Sequence, residues 1–124
     1  MKALPIALLA ALALPAAAQS DYVSRGECFA RNEGLHDRRA DLEWDRGSVE
    51  AEKAALAREG EALAAEWSRL DKTNIAAVNS YNARSDRYNA RVADQNARVA
   101  RFNDRAARLN DDTDRLADRC GTRF

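Results

Sequence analysis

The chain has 124 residues, and its 20 Lys and Arg residues are balanced by 20 Asp and Glu residues. This balance argues against a nucleic-acid-binding protein, which would show a clustered basic excess, and gives no reason to expect an anionic membrane surface as a partner. Aromatic residues make up only 6% of the chain. Because large apolar residues are sparse, the sequence predicts an elongated helical form with a narrow apolar seam.

The first residues have the pattern of a secretory signal peptide. Lys2 precedes an almost unbroken apolar run over residues 3–14, and small residues follow as far as Ala18. Such a run with an A-x-A ending predicts cleavage before Gln19, and it is well short of the roughly 20 residues of a transmembrane helix. We therefore predict a signal peptide over residues 1–18, and export to the bacterial periplasm or beyond.

The first predicted helix covers about residues 25–71. Ser24 opens an S-x-x-E capping box, which typically precedes a first helical turn. Gly47 costs about 1 kcal/mol relative to Ala in a helix interior, but the apolar residues on either side of it keep one phase, which favours a continuous helix. These residues recur every seven positions: Cys28, Leu35, Leu42, Val49, Leu56, Leu63 and Leu70.

A polar turn over about residues 72–75 leads into a second predicted helix over about residues 76–120, which Gly121 ends. Two stripes with seven-residue spacing, offset by three and four positions, predict a coiled-coil seam on this helix. The first stripe is Val78, Ser85, Val92, Val99, Ala106, Thr113 and Cys120. The second is Tyr81, Tyr88, Gln95, Phe102, Leu109 and Leu116.

Folding the chain back at the turn places Cys28 opposite Cys120, and it places each leucine of the first helix's stripe opposite a smaller residue of the second helix. In an oxidising compartment the two cysteines should pair, and closing a loop of about 90 residues is worth roughly 4–5 kcal/mol. The same register opposes unlike charges in five pairs: Arg38–Asp112, Asp45–Arg105, Glu52–Arg98, Glu59–Arg91 and Glu66–Arg84. The predicted fold is all-α, a long antiparallel two-helix coiled-coil hairpin closed by one disulfide.

No residue pattern predicts catalysis or a cofactor. His36 is the only histidine, and metal sites in helical bundles need two E-x-x-H copies with further carboxylates. No phosphate-binding loop, zinc motif or nucleophile motif occurs. We therefore expect a non-enzymatic protein with no metal, no cofactor and no small-molecule substrate, and with a solvated His36.

Apolar residues near the disulfide are candidates for binding a partner protein. In the hairpin register Phe102 and Leu109 face Arg46 and Arg39. Either the arginine stems cover these residues, with a cation–π contact to the ring, or the stripe is half covered and docks onto another chain. Trp44 falls on the outward face, where an exposed Trp can anchor an interface. The candidates are Trp44, Phe102, Leu109 and Leu116.

Asparagines recur every seven residues, one position after the second stripe. Asn forms helices poorly, so five at one heptad position indicate another role. They are either a polar flank of the seam or a row of amides that bonds to a partner helix. The row is Asn82, Asn89, Asn96, Asn103 and Asn110, and Asn96, Asn103 and Asn110 are partner-binding candidates.

The Tyr-Asn-Ala heptads over about residues 81–110 resemble repeats of uncharacterised bacterial envelope coiled-coil proteins. The resemblance implies an envelope location and a helical form, and carries over no functional residue. We expect a structural or adaptor protein that self-associates or binds one envelope protein. The alternative is a periplasmic holdase chaperone that grips unfolded clients with the apolar candidates.

Overall fold

The computed structural model describes residues 24–121, which form two long helices packed against each other. Helix α1 spans Arg25–Arg69 and α2 spans Ile75–Cys120. Within this range there are no strands, and neither helix is long and apolar enough to cross a membrane. The predicted signal peptide, residues 1–18, lies outside the described residues.

The predicted capping box begins α1. The Ser24 hydroxyl accepts a hydrogen bond from the Glu27 backbone N–H at 3.2 Å, and the Glu27 carboxylate accepts one from the Ser24 N–H at 3.3 Å. Two N–H groups that the first helical turn leaves without partners are thereby satisfied. The helix then continues through Gly47 without a break and ends at Arg69, because Leu70 adopts an extended conformation.

The turn is held by two side chains that bond to the backbone. The Asp71 carboxylate accepts hydrogen bonds from the Thr73 hydroxyl at 2.7 Å and the Thr73 N–H at 3.0 Å. These bonds stabilise the charged form and lower the pKa of Asp71 below its ordinary value. Asn74 caps α2 by accepting from the Ala77 N–H at 3.1 Å. The turn residues thus lie slightly earlier in the chain than the predicted 72–75.

The core is one thin layer between the two helices. On α1 it follows the seven-residue stripe, with Cys28, Leu35, Leu42, Val49 and Leu56 buried, and on α2 it includes Leu109 and Leu116. A cluster of four leucines, joined by Phe102, Ala106 and Cys120, forms its most apolar part near the disulfide: Leu35, Leu42, Leu109 and Leu116.

Contacts at both ends show that the chain doubles back on itself. Cys28 and Cys120 form a disulfide with their Cα atoms 5.9 Å apart. At the other end the Trp67 and Tyr81 rings pack with their centroids 5.1 Å apart. The predicted helical hairpin and its disulfide are thus confirmed. Below, the disulfide end and the turn end denote these two ends.

Candidate functional site

One side of the seam is lined by arginines that reach across to the other helix, and we call this side the ion-pair edge. Arg38 donates to Asp112 at 2.8 Å. The remaining contacts advance in multiples of seven residues along both helices, in opposite directions. They are Arg105–Asp45, Arg91–Glu59 and Arg84–Glu66. Four of the five predicted charge pairs are therefore present.

The fifth predicted pair, Glu52–Arg98, is wrong. Arg91 is long enough to hold two carboxylates, and its second Nη atom donates to Glu52 at 2.9 Å while the first holds Glu59. Arg98 donates instead to the Ser48 hydroxyl at 2.9 Å. The hydrogen bond to Glu52 is the main reason that the pKa of Arg91 is raised, so this guanidinium stays charged at all ordinary pH values.

These ion pairs are partly exposed, with side-chain exposures between 31% and 52%. Exposed pairs contribute about 0–1 kcal/mol each, so their main consequence is geometric. Flanking charges of this kind select the partner helix and its register. The ion-pair edge has its polar groups largely engaged within the hairpin.

The other side of the seam carries the asparagine row, and we call it the amide edge. Each of the first four asparagines lies two residues before an arginine of the ion-pair edge. At 3.6 residues per turn, positions two apart point to nearly opposite sides of a helix. The members of the row are all exposed, and none makes a side-chain hydrogen bond within residues 24–121: Asn82, Asn89, Asn96, Asn103 and Asn110.

The apolar candidates do not form one exposed surface. Trp44 is 82% exposed, whereas Leu109 and Leu116 are only 5% and 7% exposed. Of the two interpretations left open by the sequence, the half-covered stripe does not hold at these two leucines, which pack between the helices. Arg39 crosses the seam to donate to the Thr113 hydroxyl at 3.2 Å, which favours the covering role that one interpretation gave to its stem.

Phe102 remains partly open to solvent in a groove on the amide edge. The groove has a volume of about 600 Å³ and brings together Phe102, Leu109 and Asn110 among the predicted partner-binding residues. Its other walls are Arg39, Leu42, Glu43, Arg46 and Ala106. Trp44 and Leu116 do not line it. Across residues 24–121 the cation–π contact found is Lys72 over Trp67 at 5.0 Å, not an arginine over Phe102.

Gln95 is a residue whose role sequence reasoning missed. The register of the predicted hairpin puts Gln95 opposite Lys53. In the structure Gln95 lies in the core at 5% exposure, and its Nε2 donates to the Val49 carbonyl oxygen at 2.8 Å. Its Oε1 is buried and has no partner among the described residues. The signal was available, because Gln95 interrupts a stripe of Tyr, Phe and Leu. A polar residue inside such a seam typically fixes register at a cost in stability.

The described part of the chain offers no arrangement of metal ligands. No group of three or more His, Cys, Asp or Glu residues within residues 24–121 could hold a metal ion. Both cysteines are in the disulfide, and His36 is exposed. Comparisons of the chain with protein-family models, curated proteins and solved structures found no match. Its function is therefore inferred from the surfaces of the hairpin.

Proposed function

We propose that this chain is an exported, non-enzymatic structural protein of the cell envelope, an antiparallel two-helix coiled coil that pairs with a second copy of itself along the amide edge. The signal-peptide pattern and the disulfide support export, since disulfides persist in oxidising compartments. The heptad stripes and the contacts that advance by multiples of seven residues in opposite directions support the coiled coil.

The contrast between the two edges carries this proposal. Each asparagine amide has two N–H donors and a carbonyl acceptor, and along the amide edge these groups are exposed and make no bond within residues 24–121. On the ion-pair edge, the five arginines that reach across the seam each already bond to an acceptor of α1 or α2 within the hairpin. A new helix therefore finds free hydrogen-bonding groups on the amide edge.

A second copy suits this edge because a row of amides is complementary to itself. Two-fold pairing sets the same surface of both chains face to face. The N–H donors of the asparagine row in one copy then face the carbonyl acceptors of the same row in the other. The edge also carries both signs of charge, with Arg39 and Arg46 beside Glu43 in the groove at Phe102. A two-fold axis allows the basic residues of one copy to oppose the acidic residues of the other.

The length of the hairpin supports an extended interface. Helices α1 and α2 have 45 and 46 residues, which corresponds to about 68 Å at 1.5 Å per residue. Five exposed asparagines at intervals of seven residues cover residues 82–110 of this length, and Phe102 contributes an apolar anchor among them. Such a contact makes a four-helix assembly in which the ion-pair edges face outward.

The holdase alternative receives less support. A holdase needs apolar side chains that unfolded clients can reach, and two of the four candidates, Leu109 and Leu116, are buried within the hairpin. Trp44 is the exposed member, and single exposed apolar residues are ordinary on protein surfaces. Its role as a partner anchor stays a prediction.

The test is the mass of the oxidised chain in solution, measured by light scattering on a sizing column across a concentration series. We expect twice the mass of one chain, with dissociation on dilution. A clean monomer at all concentrations would contradict self-association. In that case, capture of one envelope protein at the amide edge would replace the second copy as its occupant.

Alanine variants separate the interface from the fold. In Asn89→Ala/Asn96→Ala/Asn103→Ala we expect a monomer whose helices are at least as stable, because Ala is the better helix former. The matched control is Asn79→Ala, an exposed asparagine of the same helix outside the row, which should leave the dimer intact. An unchanged mass in the triple variant would refute the amide edge as the interface.

A further inference from the structure

The pattern of the ion-pair edge breaks at the disulfide end. One step of seven residues beyond the pair Arg38–Asp112 lie Arg31 and Arg119, two residues of like charge. Flanking positions that face each other across a seam normally carry opposite charges, and like charges there are destabilising. Neither arginine forms an ion pair with a residue of the described range. The helix dipole favours Arg119, which lies in the last turn of α2, but it gives no such reason for Arg31 near the start of α1.

The arginine pair lines a groove beside the disulfide. The groove has a volume of about 400 Å³, and Arg38 and Arg115 add to its positive charge. The apolar core residues Leu35 and Leu116 form part of its lining, along with Gly34 and Asp112. Four arginines and one aspartate thus line one space that also has an apolar part. Two further grooves on the ion-pair edge have a smaller excess of arginine, with three arginines against one aspartate in one and two arginines against two glutamates in the other.

Apart from Asp112, the acidic residues of this end do not line the groove. Asp112 is engaged with Arg38 at 2.8 Å, and Glu27 holds the Ser24 N–H in the capping box. Asp111, Asp114 and Asp118 are on the same helix but do not line the groove. Arg31, Arg115 and Arg119 are left with their donors directed to no described carboxylate.

From this arrangement we propose that the groove binds a phosphate group, carried by a small molecule or by a lipid headgroup. A guanidinium group presents a planar fork of donors that matches the oxygens of phosphate, and it binds phosphate with paired hydrogen bonds. A phosphate dianion has enough acceptor oxygens for several arginines at once. Bound between Arg31 and Arg119, it removes their mutual repulsion and links the two helices across the seam.

The first experiment is titration of the oxidised full-length mature chain with inorganic phosphate. Binding is measured by calorimetry, and the stability of the chain by thermal unfolding. Chloride at matched ionic strength is the reference. We expect saturable binding and a rise in Tm that chloride does not reproduce. Equal effects of the two anions would overturn the proposal, because they would indicate general screening rather than a site.

Two variants assign the binding to the arginine pair. In Arg119→Gln we expect phosphate affinity to fall about tenfold or more, as charged hydrogen bonds are lost. In Arg58→Gln, an exposed arginine remote from the groove, affinity should not change. An identical phosphate affinity in Arg119→Gln and the unmodified chain would refute the site.

A charge-reversal variant distinguishes loss of phosphate binding from loss of folding. Arg119→Glu gives Arg31 an opposite charge across the seam, so the hairpin without phosphate should unfold at a higher temperature than the unmodified chain. The same variant should no longer respond to phosphate. A variant that still gains Tm from phosphate would contradict the proposal. This outcome is independent of dimerisation, which is assigned to the opposite edge.

The source of the phosphate is distinguished with vesicles. Co-sedimentation with phosphatidylglycerol vesicles that is abolished by Arg119→Glu, and absent for phosphatidylcholine vesicles, assigns a lipid headgroup. Binding of inorganic phosphate without co-sedimentation assigns a soluble phosphate ester. The absence of both overturns the proposal.

Discussion

The two edges of the hairpin are built on the same helix, two residues apart, yet they use their polar groups in opposite ways. Along the ion-pair edge, arginines such as Arg84 and Arg105 bond to carboxylates of α1. Along the amide edge, neighbours such as Asn82 and Asn103 are exposed and bond to nothing in the described range. The first arrangement sets how α2 packs against α1 within one chain. The second leaves a row of exposed amides, which we propose as the surface that pairs with a second copy.

The largest expected effect comes from breaking the disulfide, which joins the two helices at one end. Reducing Cys28–Cys120, which joins residues 92 positions apart, should lower the free energy of unfolding by about 4–5 kcal/mol from loop-closure entropy. The loss should be local, since the turn end keeps the Trp67–Tyr81 contact and the Arg84–Glu66 pair. Denaturant unfolding and amide hydrogen exchange measure the two effects.

Hydrogen exchange shows whether the disulfide end and the turn end depend on the disulfide equally. We expect fast exchange in reduced protein from Arg25 to about Leu42 and in the facing part of α2, with protection retained near the turn. The double variant Cys28→Ser/Cys120→Ser controls for the reducing agent. Uniform loss of protection along both helices would contradict the proposed pairing.

A smaller effect distinguishes the seam from the outward face of α1. At Gly60 an added Cβ would lie 2.5 Å from the Tyr88 hydroxyl oxygen, whereas at Gly47 it would meet nothing within 4 Å. Gly47→Ala should therefore stabilise the hairpin by about 1 kcal/mol through helix propensity. Gly60→Ala must displace the Tyr88 ring and should lose all of that gain.

Thermal unfolding of the two glycine variants in parallel measures this difference. The double variant Gly60→Ala/Tyr88→Phe removes the oxygen that the new methyl group would meet, so it should recover part of the lost stability. Equal stabilisation by Gly47→Ala and Gly60→Ala would show that Tyr88 does not lie against Gly60.

The smallest expected effect on the free energy of unfolding comes from single substitutions, one on each edge. Asp45→Asn removes the charge that Arg105 bonds to, and it should cost about 0–1 kcal/mol, less at high salt. Asn103→Ala on the amide edge should not destabilise the single hairpin and should show no salt dependence. Denaturant unfolding at low and high salt, at concentrations where the chain is monomeric, measures both. A salt-dependent loss in Asn103→Ala would show that the amide edge also bonds within the hairpin.

Much of the fold could be predicted because it depends on spacing. The capping box at Ser24, the seven-residue stripes and the opposition of Cys28 to Cys120 are properties of backbone position. The bonding partners of long side chains could not be predicted in the same way. Arg91 spans two carboxylates, and Arg39 crosses the seam to Thr113 beside a buried Leu109.

The candidate site was predicted less completely for the same reason. The asparagine row is visible in the sequence, and its exposure follows from one heptad position. The burial of Leu116 depends on how closely the helices approach, which residue types alone do not determine. Register alone pairs Gln95 with Lys53, but the length of the Gln95 side chain lets its amide reach back to the Val49 carbonyl oxygen.

The most direct test of the central claim is photo-crosslinking from each edge in turn. A photoreactive side chain is placed at Asn96 on the amide edge or, as the control, at Arg87, which lines a groove on the ion-pair edge. We predict covalent dimers of the chain from position 96 and none from position 87. Dimers from position 87 alone, or no crosslinked product from either position, would contradict the account.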